Sequence, residues 1–399
     1  MIKRDVAPVI HSLLRGFPIV TITGPRQSGK TTLAKAIFAD KPYASLEDPD
    51  LRRAALDDPR SFLERFPDGA VFDEVQRCPE LFSYLQTKVD ADGRMGLYIL
   101  TGSRQLGLLT GISQSLAGRT AFVELLPFSF AELARAGRLS DKGDYPLYTG
   151  SYPPLHDRDL SPQVWFSAYV AAYVERDVRQ MLKIQDLEAF QRFVRLCAGR
   201  TGQLVNFASL ATECGITHNT AKAWISVLEA SYLVFLLRPH YANFNKRLVK
   251  TPKLYFYDAG LVSWLLGIQT PEQLETHPLR GNIFETCLVA ELMKARLNRG
   301  ERPHLYFWRD SNGNEVDLIA EQGTKLLPVE IKSGKTITQE AFVSLKKWVV
   351  LAGSAAMEPV LIYGGTDAYQ QAGVRVMGWR EASRALARKA GPSSTGNRS

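Results

Sequence analysis

Short apolar runs alternate along the first third of the chain with segments whose apolar positions recur at helical spacing. Ile19-Val20-Thr21-Ile22-Thr23, Tyr43-Ala44-Ser45-Leu46, Ala70-Val71-Phe72 and Met95-Gly96-Leu97-Tyr98-Ile99-Leu100 read as strands. Leu33 to Ile37 and the charged stretch Pro49 to Arg65 read as helices, the latter closed by a Pro67-Asp68-Gly69 turn. Val9, Ile10, Leu13 and Leu14 form a short leading helix before the Arg15-Gly16-Phe17-Pro18 break. The alternation predicts an α/β domain built on a parallel sheet with helices on both faces.

The pattern then changes. From Pro162 to Gly199 it is helical, with Trp165, Tyr169, Val170, Tyr173 and Val174 in one apolar stripe. Asn206 to Leu236 reads as a helix-turn-helix: Phe207, Leu210 and Ala211, a turn at Gly215, then Ile216, Ala221, Ile225 and Leu228. Tyr232 to Leu237 and Lys253 to Tyr257 are the two strands of a wing, with Arg238, His240, Lys246, Arg247, Lys250 and Lys253 between or beside them and Tyr241 and Phe244 interleaved. If this unit reads DNA, His218, Asn219 and Lys222 face the groove and the wing contacts phosphates; winged helices also serve as internal packing surfaces. The last third runs helix (Gly281 to Leu297), strands (Leu305 to Trp308, Glu315 to Ala320, Leu326 to Ile331), helix (Ala341 to Val350) and strand (Val360 to Tyr363).

Chemistry enters at the end of the first strand. Gly24-Pro25-Arg26-Gln27-Ser28-Gly29-Lys30-Thr31, followed by Thr32, matches Gly-x-x-x-x-Gly-Lys-[Ser/Thr] between a strand and a helix, the pattern of a phosphate-binding loop. Its glycines let backbone N–H groups point at phosphate oxygens, Lys30 reaches the β- and γ-phosphates, and the Thr31 hydroxyl completes a Mg²⁺ shell. Asp73 and Glu74 end a buried strand as a Walker B pair: Asp73 holds Mg²⁺ and Glu74 activates the attacking water. The next strand ends in Thr101-Gly102-Ser103-Arg104; Thr101 and Ser103 stand where the γ-phosphate is sensed, and such residues equally form turns. Arg119 is the candidate transition-state cation, in its own or a neighbouring subunit. The expected ligands are ATP and Mg²⁺.

With 399 residues the chain has room for about two or three domains, and 45% hydrophobic content supports full cores. A net charge of +8 leans toward a polyanionic partner without establishing one. Cys78, Cys197, Cys214 and Cys287 lack the spacing of a zinc site or disulfide framework, which suits a cytoplasmic protein with reduced thiols. No run reaches the roughly 20 apolar residues of a membrane helix, and the N-terminus lacks a signal-peptide core.

These motifs, with Phe72-Asp73-Glu74-Val75-Gln76, Leu100-Thr101-Gly102-Ser103, Leu116-Ala117-Gly118-Arg119, Leu126-Pro127-Phe128-Ser129-Phe130, Tyr173-Val174-Glu175-Arg176-Asp177-Val178 and Lys253-Leu254-Tyr255-Phe256-Tyr257-Asp258-Ala259-Gly260-Leu261, resemble a prokaryotic family of AAA-type ATPases carrying a C-terminal domain of unknown function. The resemblance implies a P-loop fold and a nucleotide-dependent role. The α-β-β-β-α-β order behind it resembles the core of restriction-endonuclease-like folds, and Asp317 with Glu330-Ile331-Lys332 resembles the Asp...Glu-x-Lys signature of Mg²⁺-dependent nucleases. That likeness implies a second metal held by Glu285, Asp317 and Glu330 beside Lys332, in a domain that either cleaves DNA or only binds it. Glu-x-Lys is also common on a solvated strand face. The expected organisation is an ATPase domain at 1–155, a helical linker at 156–200, a winged helix-turn-helix at 201–275, a nuclease-like domain at 276–388 and a disordered tail at 389–399. DNA, a protein partner and further copies of the chain are the expected macromolecular partners.

Overall fold

The computed structural model of the chain describes residues 1–102, 115–158, 160–175, 186–240 and 250–382. Ser103, Arg104, Arg176 to Val178, Tyr241, Phe244, Lys246, Arg247 and the tail lie outside the described residues.

Five strands, β1 (Ile19–Thr23), β2 (Tyr43–Ser45), β3 (Ala70–Asp73), β4 (Tyr98–Gly102) and β5 (Thr120–Glu124), form an all-parallel sheet in the order β2-β3-β4-β1-β5. The central strands β1, β3 and β4 are buried throughout, as apolar runs covered on both faces must be. The helices Ala7–Leu13 and Lys30–Ile37 cover one face over Val20, Ile22, Val71 and Ile99. The helices Pro59–Glu64 and Leu81–Asp92 cover the other over Phe72, Tyr98 and Leu100. Because every strand runs the same way, the carboxyl ends of β1, β3 and β4 open into one crevice. Strand β5, absent from the sequence-based expectations, is an edge strand whose Phe122 is exposed.

The middle of the chain gives the helix Leu187–Gly199, β6 (Gln203–Leu204), the helices Phe207–Cys214 and His218–Ala230, β7 (Val234–Leu237) and β8 (Lys253–Phe256), the strands pairing antiparallel as β6-β8-β7. Gly215, with φ 68°, ends the first helix of the pair, and the Thr217 side chain caps the second. Phe190 and Phe193 each meet Trp224 edge-on, centroids 5.2 Å apart.

The C-terminal sheet has the order β13-β14-β12-β11-β10-β9, from β9 (Leu305–Arg309), β10 (Glu315–Gln322), β11 (Lys325–Lys332), β12 (Val360–Tyr363), β13 (Tyr369–Gln371) and β14 (Val374–Gly378). Strands β11, β12 and β14 are parallel; the other pairings are antiparallel. One face carries the helix Val343–Ala352 through Leu345 and Trp348. The other packs on the helix Arg280–Leu297, which is buried without a break from Thr286 to Lys294. A helix surrounded in this way has the middle region on its far side, and one continuous core runs from Leu126 to Ala382. The pair β13–β14 completes the edge beyond the expected elements.

Candidate functional site

The glycine loop leaves β1 at Thr23 and enters its helix at Lys30 through Gly29, which has φ 91°. Gly24 has φ 151°, and a Cβ there would stand 2.1 Å from the Leu125 carbonyl oxygen, so the chain leaving β5 permits only glycine. The Lys30 ammonium lies inside the loop, donating to the carbonyls of Gly24 at 3.0 Å and Pro25 at 2.8 Å. Burial pushes its pKa down to about 8, against the opposing pull of Glu74 and Asp73.

Asp73 gathers the crevice. Its Oδ2 accepts from the Thr31 hydroxyl at 2.8 Å and from the Tyr43 hydroxyl at 2.7 Å, and its Oδ1 accepts from Thr101. Tyr43, at the start of β2, was not a sequence candidate; burial and its bond to Asp73 raise its pKa, so it remains a donor. Glu74 follows the strand in the left-handed region, φ 56°, and accepts from the Gln76 amide. It lines the same cleft of about 310 Å³ as Lys30, Thr31 and Thr32, which Asp157 and Arg158 also line. A non-glycine residue with positive φ at a site of this kind is a strained position held by its surroundings. Arg26 and Gln27 line the cleft, with Arg26 3.8 Å from Glu47, while Ser28 is turned inward and buried.

Arg4 supports the loop from behind. Its guanidinium donates to the Ser28 carbonyl at 2.8 Å, the Leu126 carbonyl at 2.6 Å and Glu132 at 3.0 Å, all buried. Glu132 in turn caps the helix Phe130–Arg135 in a reciprocal box with Ser129. No local motif marks Arg4; its partners lie far along the chain.

Arg119 is not part of its own crevice. It precedes β5, and its guanidinium makes two bonds to Asp90, at 2.6 and 2.7 Å. Strands β1 and β5 are parallel with Ile19 opposite Thr120, which puts Arg119 at the amino end of the sheet and the loop at the carboxyl end. The expectation of an arginine acting within its own subunit is corrected accordingly.

A second set of charged groups forms where β8, the helix Arg280–Leu297, β10 and β11 meet. Lys253 donates to Glu285 at 3.1 Å and to Glu315, and Tyr255 donates to the same Glu285 oxygen at 2.5 Å. Pleat alternation puts Glu330 and Lys332 on one face, where the Lys332 ammonium meets Glu330 Oε1 at 2.5 Å. Asp317 accepts the backbone N–H of Ile331 at 2.8 Å. Burial, then the Asp317 charge, pushes Glu285 up to about 7 and Glu330 up to about 8. Burial opposes the charge on Lys253, but Glu285, Asp317 and Glu315 outweigh it and hold its pKa above the ordinary value.

Glu285, Asp317, Glu330 and Lys332 lie together in this cluster. The oxygens do not form the expected metal site in this arrangement: lysines hold one oxygen each of Glu285 and Glu330, and among the described residues no group of three or more His, Cys, Asp or Glu could hold a metal. Lys253 and His240 also leave the expected phosphate-contacting set. Lys253 is buried among carboxylates, and His240 is buried 3.5 Å from Glu321. His218, Asn219 and Lys222 are exposed on their helix.

Three families match successive stretches: an AAA domain over residues 16–134, a domain of unknown function (DUF8612) over 140–272, and another (DUF4143) over 280–381. The chain is 32% identical over 337 residues to the uncharacterized protein Rv2008c of Mycobacterium tuberculosis, covering 84% of this chain and 74% of the relative. The uncharacterized protein Mb2031c of Mycobacterium bovis matches with the same identity and coverage. Among solved structures, the Walker-type ATPase PABY2304 of Pyrococcus abyssi is similar at 15% identity and TM-score 0.47, over 66% of this chain and 96% of that one. No described helix is long and apolar enough to cross a membrane.

Proposed function

This chain belongs to the family of the mycobacterial proteins Rv2008c and Mb2031c and has the fold of an AAA-type P-loop ATPase, and we propose that it binds and hydrolyses ATP with Mg²⁺ and thereby controls its middle and C-terminal regions. The observation carrying this is the convergence of Thr31, Tyr43 and Thr101 on Asp73, beside Lys30 and Glu74. Thr31 and Asp73 offer Mg²⁺ hard oxygen donors; the bound ion would neutralise charge on the phosphates. The loop N–H groups orient the phosphates, Lys30 moves from the loop carbonyls onto the terminal phosphates, and Glu74 takes the proton of the attacking water.

Two buried connections supply a route outward. Thr23 bonds Tyr232, which precedes β7. Glu291 accepts from the Phe130 N–H and Lys294 donates to the Phe128 carbonyl, so the helix that carries Glu285 is fastened to the segment held by Arg4. In this reading residues 201–275 are a winged helix presenting His218, Asn219 and Lys222 to DNA.

Turnover assays on the wild type, Lys30→Ala and Glu74→Gln test hydrolysis: Lys30→Ala loses ATP binding, and Glu74→Gln keeps binding but turns over about 10²-fold more slowly or worse. Equal turnover in all three overturns it. The lysine-bonded carboxylates favour a second reading of the output, a nucleotide-switched DNA- or protein-binding module without nuclease activity. Plasmid nicking with Mg²⁺ or Mn²⁺ that Asp317→Ala abolishes would overturn that version and support cleavage.

A further inference from the structure

The carboxylate cluster of the C-terminal sheet holds its own cation. The structure assigns to Lys253 the place that the nuclease likeness reserves for a divalent metal: a resident ammonium, carried in on β8 from the middle region, that makes this cluster an ion-pair joint between two parts of the chain.

Lys253 is 4% exposed, with its Nζ 3.1 Å from Glu285 Oε1 and bonded to Glu315. Two residues along the same strand, and therefore on the same face, Tyr255 donates to that Glu285 oxygen as well. The other Glu315 oxygen accepts from Arg309 at 3.1 Å. On the far side Lys332 holds Glu330 Oε1, and the backbone of Ile331 holds Asp317 Oδ2. Two ammonium groups from two different strands thus hold three carboxylates, with Asp317 beside them on the Ile331 backbone. A divalent ion on Glu285 would meet the buried Lys253 ammonium, 3.1 Å from Glu285 Oε1, where like charges repel strongly. Withdrawal of β8 would free Glu285 and Glu315, and with Glu330 Oε2, which is buried and has no hydrogen-bond partner among the described residues, they would offer the oxygens a metal requires.

The inference goes beyond the ATPase reading. A Mn²⁺ titration of the full chain without nucleotide, followed by electron paramagnetic resonance of the free ion, tests it whether or not the chain hydrolyses ATP. The wild type shows no Mn²⁺ site that Asp317→Asn removes. Lys253→Met gains one, at least about tenfold tighter than any wild-type binding at the cluster, lost again in Lys253→Met/Asp317→Asn, and Mn²⁺ raises the Tm of Lys253→Met but not of the wild type. Lys253→Arg, which keeps the charge, behaves as the wild type. A wild-type Mn²⁺ site abolished by Asp317→Asn overturns the assignment, as does a folded Lys253→Met that gains none. If Lys253→Met does not fold, the comparison of wild type, Asp317→Asn and Lys253→Arg decides by the same criteria.

Discussion

The hydroxyls of Thr23 and Tyr232 share a buried hydrogen bond of 2.9 Å, joining the last residue before the glycine loop to the residue that begins the approach to β7. Tyr232 holds a left-handed backbone conformation, φ 56°, to reach it. Tyr232→Phe removes the bond and leaves the Thr23 hydroxyl buried. The expected cost is about 1–3 kcal/mol of stability, read in thermal unfolding, together with a several-fold change in kcat/KM for ATP because Gly24 is the next residue. An unchanged kcat/KM would show that the contact is purely structural.

Gly24→Ala tests the loop geometry. A methyl group 2.1 Å from the Leu125 carbonyl oxygen cannot be accommodated without moving β5 or the loop. Titration with a fluorescent ATP analogue is expected to show affinity reduced by at least about tenfold, whereas Gly93→Ala, at a glycine with open space around it, leaves affinity unchanged.

Arg4→Met leaves Glu132 buried without its cation and the Ser28 and Leu126 carbonyls without their donor. Losing one partner of a buried pair costs about 3–5 kcal/mol. Adding Glu132→Gln removes the stranded charge and keeps one oxygen, which accepts from either the Ser129 or the Asp5 backbone N–H but not both, so the double variant is more stable than Arg4→Met alone by less than the full cost of the buried charge. Denaturant midpoints of the four chains check the cycle.

Glu330 predicts a pH dependence. Its pKa, ordinarily near 4.5, is raised to about 8 by burial and by Asp317. Between those values the native chain holds a proton that the unfolded chain has released, so this group's contribution to stability is full at low pH and is lost as pH rises through the window. Glu330→Gln cannot ionise. Its Tm relative to the wild type therefore rises from about pH 5 to about pH 8.5 by roughly 2–4 °C; a flat difference contradicts the shift.

Fluorescence anisotropy with duplex DNA tests the exposed helix face. Binding through phosphates weakens with salt at a log-log slope of about −0.9 per phosphate neutralised, and Lys222→Ala reduces that slope by about one unit. Salt-independent binding, or a slope indifferent to Lys222, removes this face from DNA recognition.

Much of the molecule was legible because it is local. The glycine loop is contiguous, and its strand, turn and helix each have their own pattern, so local sequence alone puts Lys30 and Thr31 at the start of the helix. Asp73 was legible for the same reason, as the acid that ends an apolar run. The C-terminal strands and helices could be ordered from apolar runs and helical spacing, whereas β5 and β13 are edge strands whose exposed positions weaken that signal. Arg119 could not be assigned to its own crevice from sequence: a basic residue beside small ones looks the same at either end of a parallel strand, and only the direction of β5 puts it away from that crevice.

The sequence by itself determined the glycine loop, the acid pair that follows β3 and the order of the buried strands and helices it marked, but not β5 or the β13–β14 edge, since spacing and backbone freedom specify the former within a few residues. Tertiary structure alone decided which groups hold them. Arg4 behind the loop, Tyr43 on Asp73, Tyr232 on Thr23 and Lys253 among the carboxylates all depend on partners brought together from far along the chain. Burial then settles their roles: a lysine that reads as a phosphate contact on an open wing becomes, once surrounded by Glu285, Glu315 and Asp317, the counter-ion that those carboxylates require.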